Sequence, residues 1–245
     1  NSVFSINCEA VMNNSKSLIS ILAGLIILTG CHDRRAAVMT PFGEGVNDWG
    51  KKLPYDYWQF NFFYPENLPA AVTMAFIEDG NVSETVYRQL DAARPSCNSK
   101  GSWSRTVGAF TANFNTGKAL PVHMFICWDS VIDKKAYETE IWFGKETWMQ
   151  MTTAYPDLYK PGSIYYRNNL IFGLAPGGTA RVWLENNGEK VIPQRSVRLI
   201  TVSGDKMLRC KATRHRIDFN YNVPSGYDPF IRDFLKGKKY PYGNW

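Results

Sequence analysis

The stretch Tyr165-Tyr-Arg-Asn-Asn-Leu-Ile-Phe-Gly-Leu-Ala-Pro-Gly-Gly-Thr-Ala-Arg-Val-Trp-Leu-Glu185 decides the fold class. Two apolar runs rich in branched and aromatic residues flank Ala175-Pro176-Gly177-Gly178, so residues Tyr165–Leu174 and Thr179–Glu185 read as two strands of one hairpin. Working outward, Asn186-Asn187-Gly188-Glu189 is a turn into a strand over Lys190–Val202. Ser203-Gly204-Asp205-Lys206 then precedes a last strand, Met207–Asn220. A short helix is expected over Pro229–Leu235, inside a Pro/Gly/Tyr-rich tail. Upstream, Leu120–Asp129 (Leu-Pro-Val-His-Met-Phe-Ile-Cys-Trp-Asp) reads as a central strand buried on both faces. In Ala136–Phe143, Tyr137, Thr139, Ile141 and Phe143 share one face. The best helix lies over Lys145–Tyr155, with a weak start near Gly144.

Tyr57–Phe63 alternates with Trp58, Phe60 and Phe62 on one face, and is expected to break at Pro65 and Pro69. Ala70–Ile77 is a strand ended by Glu78-Asp79-Gly80-Asn81. Val82–Ala93 fits a strand or a helix, Arg94–Ser104 reads as a loop, Arg105–Phe114 as a weak strand and Asn115–Lys118 as a turn. Short strands separated by turn signals every ten or so residues predict a mainly β domain. The expected architecture is an antiparallel β-sandwich or barrel-like fold with one or two short helices.

An apolar fraction of 44% and a charged fraction of 20% are those of a globular chain. The net charge of +6 is unevenly spread. Lys190–Trp245 holds 12 Lys and Arg against 4 Asp and Glu, whereas Cys31–Glu189 holds 15 against 17. Such a basic third suits an anionic lipid surface, nucleic acid or an acidic protein, and equally a plain solvated surface.

Near the start, Met12-Asn13-Asn14-Ser15-Lys16 is followed by an apolar run from Ser17 to Leu28 that is too short to span a bilayer comfortably. Leu28-Thr29-Gly30-Cys31 resembles the bacterial lipobox. That resemblance implies a cleavable signal over Met12–Gly30 and a lipid anchor on Cys31. Two or more chains on one residue would make the attachment firm. His32, where an Asp would imply retention in the inner membrane, implies the periplasmic side of the outer membrane. Residues 1–11 are set aside as upstream of the signal, 31–52 read as a tether, and 53–245 as a single β-rich domain. A start at Met39 would instead leave the product in the cytoplasm.

Of five cysteines (Cys8, Cys31, Cys97, Cys127, Cys210), three remain once the signal and the lipid are assigned. Two of Cys97, Cys127 and Cys210 can pair; the sequence leaves open which. Cys127, inside an apolar run, reads as a buried thiol.

The chemistry expected of an enzyme is not found. The chain has no Gly-x-Ser-x-Gly elbow, and Cys/His spacing suits no zinc site. The Ala-Pro-Gly-Gly turn joins strand to strand, so it lacks the helix N-terminus that cradles phosphate. Asp129 and Asp133 supply too few ligands for a metal loop and read as a solvated turn. No catalytic residue, metal or cofactor is therefore expected. Arg209, Lys211, Arg214 and Arg216 alternate with Cys210, Ala212, His215 and Ile217, which on a strand gathers cations on one face. These four are the candidate partner-binding residues. No nucleic-acid motif accompanies them. Lys236, Lys238 and Lys239 with Tyr240 and Tyr242 read as a solvated tail, with membrane or protein contact as alternatives.

Tyr55-Asp56-Tyr57-Trp58, Leu68-Pro69-Ala70-Ala71-Val72, the segment from Trp128-Asp129-Ser130 to Thr139, and Phe172-Gly173-Leu174-Ala175-Pro176-Gly177-Gly178 resemble the DUF2931 family of enterobacterial lipoproteins. The resemblance covers most of Lys52–Ile217. Members are often encoded beside type VI secretion phospholipase effectors, and some are similar to lipoprotein immunity proteins that neutralise such lipases. The resemblance implies a non-enzymatic, periplasm-facing protein that binds a phospholipase by occlusion. It implies no catalytic residues. The alternative reading is an envelope lipoprotein with a glycan or lipid ligand, or a structural role.

Overall fold

A computed structural model of the chain describes residues 53–80, 103, 115–213, 233, 236–243 and 245, with the backbone of 85–89 and 94–100. All lie within one compact unit, Ala36–Trp245. The signal, Cys31, the tether, the weak strand expected over Arg105–Phe114, and Arg214 and Arg216 fall outside the described residues. So does the helix expected over Pro229–Leu235, apart from Asp233, which is helical.

The strands in chain order are β1 (Trp58–Glu66), β2 (Ala70–Asp79), β3 (Thr85–Gln89), β4 (Arg94–Lys100), β5 (Thr116–Gly117), β6 (Pro121–Ser130) and β7 (Lys135–Trp142). After helix α1 (Lys145–Thr152) come β8 (Tyr155–Pro156), β9 (Ile164–Tyr165), β10 (Asn169–Ala175), β11 (Thr179–Leu184), β12 (Ile192–Pro193) and β13 (Arg198–Ser203). Two sheets pack face to face. One has the order β12-β11-β10-β1-β4, with β5 added to β1; the other is β13-β7-β6-β2-β3. No closed barrel forms among the described strands, and the architecture is sandwich-like, as the turn spacing predicts.

The β10–β11 hairpin forms with Ala175 opposite Thr179. Its turn needs two consecutive left-handed residues, and Gly177 and Gly178 supply them at φ 78° and 74°. Leu120–Asp129 is indeed central: β6 lies between β2 and β7 and is buried over almost its whole length. The five-stranded sheet is antiparallel throughout.

The first sheet is mixed, because β1 runs parallel to both β10 and β4. The wholly antiparallel expectation fails there, since hairpin chemistry reports only on strands adjacent in sequence. Arg94–Lys100, expected as a loop, is the edge strand β4. Pro65 does not end β1, which runs to Glu66 through an irregularity in its pairing with β4. A missing N–H is tolerable at such a bulge. Thr116–Gly117 is a short strand rather than a turn. The expected strand over Lys190–Val202 is interrupted between β12 and β13. The core joins Trp58, Phe60, Phe62, Leu170, Phe172 and Val182 of one sheet to Ile77, Met124, Ile126, Trp128 and Ile141 of the other. Trp148 of α1 closes one side, its Nε1 donating to the Pro121 carbonyl at 2.7 Å.

Candidate partner-binding face

Alternation along β2, β6, β7 and β13 sends every second residue to the core and the others outward. Cross-strand register lines the outward residues up in rows. One row is Glu78, His123, Trp142 and Arg198; the next is Phe76, Phe125, Glu140 and Ile200; the third is Met74, Cys127, Glu138 and Val202. This outer face is unusually aromatic for a sheet surface. Phe76 stacks on Phe125 with centroids 5.2 Å apart, and His123 stacks on Trp142 at the same distance.

Two guanidinium groups cap the rings. Arg198 lies 5.1 Å from the Trp142 centroid, and Arg209 lies 5.0 Å from that of Phe125. Arg209 also pairs with Glu140 at 3.1 Å. Ile200 and Leu208 are exposed beside them, Leu208 by 84%.

The candidate cations arrive there by a route different from the one their spacing suggests. Residues 207–213 are turns, not a strand. The Glu138 carboxylate accepts three successive backbone N–H groups, from Leu208 at 3.0 Å, Arg209 at 2.7 Å and Cys210 at 2.7 Å. In a strand, successive N–H groups point to opposite sides, so this capture excludes one. The Cys127–Cys210 disulfide fastens the same segment, with Cα atoms 5.4 Å apart. Cys127 is therefore buried as expected, but as half of a disulfide and not as a thiol. Arg209 is turned onto the aromatic face, whereas Lys211 turns away to Asp205 at 3.8 Å. The single-face grouping of Arg209 and Lys211 is thus corrected. The alternation missed Arg198, whose place is set by the β13–β7 register.

His123 is buried with Nδ1 3.4 Å from a Glu78 carboxylate oxygen. Burial lowers its pKa from the ordinary 6.5, against the upward push of Glu78 and Glu140 and with a further downward push from Arg209. No group of three or more His, Cys, Asp or Glu able to hold a metal occurs among the described residues.

A second polar cluster lies at one end of the sandwich. The turn after β6 is solvated only on one side: Lys134 and Lys135 are exposed and Asp133 is half-buried, while Val131 and Ile132, and Asp129 at the end of β6, are buried. The Asp133 carboxylate accepts the Tyr137 hydroxyl at 2.9 Å and the Gly177 N–H at 2.5 Å. Tyr240 donates to the Pro176 carbonyl at 3.2 Å, and Tyr242 and Trp245 pack on Leu68 and Ile132. Of the tail expected to be solvated, Lys236, Lys238 and Lys239 are exposed, whereas the rings of Tyr240, Tyr242 and Trp245 rest here. The Tyr137 pKa is raised, first by burial and then by the Asp133 charge, so the hydroxyl stays a donor. Two segments that look distinctive in sequence, around Asp133 and around Gly177, thus meet through one carboxylate.

Comparison with known proteins gives one match. A family model described as "Protein of unknown function (DUF2931)" covers residues 44–243. No curated protein and no solved structure matches the chain.

Proposed function

The chain belongs to the DUF2931 family, and from that premise we propose that it is an immunity lipoprotein. In this reading it is anchored through Cys31 on the periplasmic side of the outer membrane. It binds a type VI secretion phospholipase effector and neutralises it by occluding its active site. The observation that carries the reading is the outer face of the five-stranded sheet. Stacked aromatics under Arg198 and Arg209, flanked by exposed Ile200 and Leu208, have the composition of a protein-binding hot spot. The disulfide between Cys127 and Cys210 supports an oxidising compartment over a cytoplasmic product begun at Met39. A tether to the membrane that the lipase attacks would raise the inhibitor's effective concentration there.

The test is co-purification with a type VI secretion phospholipase effector, sought first among the products of the neighbouring genes, followed by an assay of its hydrolysis. The native chain is expected to bind the lipase and abolish turnover. Arg198→Glu/Arg209→Glu places a new anion beside Glu140 and removes both caps from the rings. It is expected to weaken binding by at least about tenfold, roughly 1.4 kcal/mol, in a chain that still folds, with a melting temperature only a few degrees lower from the lost Arg209–Glu140 pair and ring caps. Arg214→Glu/Arg216→Glu tests the remaining two sequence candidates in the same assay. A native chain that leaves the lipase fully active would refute the reading; a double variant that inhibits normally would remove this face from it.

A further inference from the structure

We propose that the β8–β9 hairpin is a membrane-contacting element that dips into the headgroup–acyl boundary of the bilayer; this rests on the lipid anchor of the reading above. Its sequence is Tyr155-Pro-Asp-Leu-Tyr-Lys-Pro-Gly-Ser-Ile-Tyr165. Leu158 is 56% exposed, Tyr159 74% and Ile164 62%, and Tyr57 at the start of β1 adds a fourth exposed ring at 45%. Leu158 and Ile164 stand out from this short loop, while the Tyr159 ring keeps one face open and rests its hydroxyl edge over Gly188, where a Cβ would meet it at 2.5 Å.

The loop is built to hold them out. One Asp157 carboxylate oxygen accepts the Tyr159 N–H at 2.9 Å, the Lys160 N–H at 3.2 Å and the Asn187 amide at 3.2 Å. Across the hairpin, the Asp157 N–H reaches the Ser163 carbonyl and the Ser163 N–H the Lys160 carbonyl, both at 3.0 Å. Pro156 and Pro161 carry no N–H. Most of the loop's backbone donors are therefore absent or satisfied internally, which lowers the cost of moving the loop out of water. At the base, the Arg167 guanidinium lies 3.7 Å from the Tyr155 centroid, and Tyr165 bonds the Glu185 carboxylate and carbonyl. Tyr rings and a Lys beside Leu and Ile are the residues that settle at a membrane interface, with the Lys amine reaching back to phosphate.

The occupant follows from where the chain enters. β1 and β10 are parallel and begin at the same end of the sandwich. There Tyr55 lies against Tyr166 at 5.3 Å and Asn168 donates to the Tyr57 carbonyl at 3.3 Å. Tyr166 and Asn168 directly follow the hairpin, so the segment leading from the anchor joins the domain at the hairpin's foot. The hairpin end is therefore the end held toward the bilayer. A protein partner is disfavoured, because a single small loop lacks the area of a stable protein interface.

The measurement uses the full lipoprotein reconstituted into vesicles of phosphatidylethanolamine and phosphatidylglycerol. Leu158→Cys and, separately, Ile164→Cys carry an environment-sensitive fluorophore, read above the background of the unsubstituted chain. Leu208→Cys, on the outer sheet face, is the control. Blue-shifted emission at 158 and 164, quenched by lipid-borne quenchers, is expected, with the 208 probe reporting water. Flotation with the vesicles but water-like emission at 158 and 164 overturns the inference and leaves the anchor standing. Failure to float overturns both. A shift at 158 and 164 that appears only when the lipase is added makes the hairpin a protein contact and also overturns it.

Discussion

His123 carries its pH response in its surroundings. It faces Glu78, Glu140 and Arg209, stacks on Trp142, and has Nε2 buried without a hydrogen-bond partner among the described residues. Burial lowers its folded-state pKa below the ordinary 6.5, so the unfolded chain holds the proton more tightly. The stabilisation from keeping this ring neutral is complete above about pH 6.5 and is lost as pH falls from there through the lower folded-state value. Urea unfolding is therefore expected to show stability falling on acidification below pH 6.5. His123→Phe, which keeps a stacked ring but cannot titrate, is expected to flatten that part of the curve. Equal slopes in the two proteins would show that His123 is not the responsible group. Gly177 poses a steric problem instead. Its φ is 78°, and a Cβ there would collide with the Tyr240 hydroxyl. Gly177→Ala is expected to cost about 1–2 kcal/mol from the left-handed backbone alone, and more from the clash. In a Tyr240→Phe background the second part is expected to shrink; an identical cost in both backgrounds would contradict the packing.

At the scale of elements, the segment from Gly204 to Thr213 depends on two devices, the Glu138 carboxylate and the disulfide. The disulfide spans 83 residues, for which chain entropy gives about 4–5 kcal/mol of stabilisation as a ceiling. Cys127→Ala/Cys210→Ala is expected to lower the unfolding midpoint substantially. Glu138→Gln, which keeps the shape but loses the charge, is expected to cost about 2 kcal/mol. Hydrogen exchange at Leu208, Arg209 and Cys210 checks both. If these amides stay protected in Glu138→Gln, the carboxylate is not what holds them. These elements also mark where the sequence is legible. The β10–β11 hairpin and central β6 follow from periodicity and turn chemistry, which are local properties. β4 is built from Arg94-Pro95-Ser96-Cys97-Asn98-Ser99-Lys100, a loop composition made into a strand by parallel pairing with distant β1. Residues 207–213 alternate like a strand, but Glu138, 70 residues away, captures their N–H groups. The partner of Cys127 and the place of Arg209 are likewise set by that distant carboxylate, and the place of Arg198 by the β13–β7 register, so only part of the candidate face is readable in advance.

At the scale of the domain, the β8–β9 hairpin, the Asp133 cluster and the aromatic face lie apart. The chain enters and the hairpin projects where β10 begins; the Asp133–Gly177–Tyr240 cluster lies where it ends, about 20 Å away at strand rise. The aromatic and arginine face lies on the outside of the other sheet. The cluster's role is to close the far end. Tyr242 and Trp245 cover Leu68 and Ile132, while Tyr240 ties the tail to the hairpin turn. Deleting residues 240–245 uncovers those two side chains and removes one hydrogen bond. Since the rings involved are only partly buried, a loss of about 2–3 kcal/mol is expected, with a melting temperature lower by roughly 5–10 °C. Among the described residues, no hydrogen bond or ring contact joins Phe125, Trp142, Arg198 or Arg209 to Tyr240, Tyr242 or Trp245, so under the proposed function lipase binding measured well below the melting transition is expected to survive the deletion. A truncated chain that melts normally would mean the tail contributes nothing to closure. One that stays folded but loses the lipase would move the binding surface from the sheet face to this end.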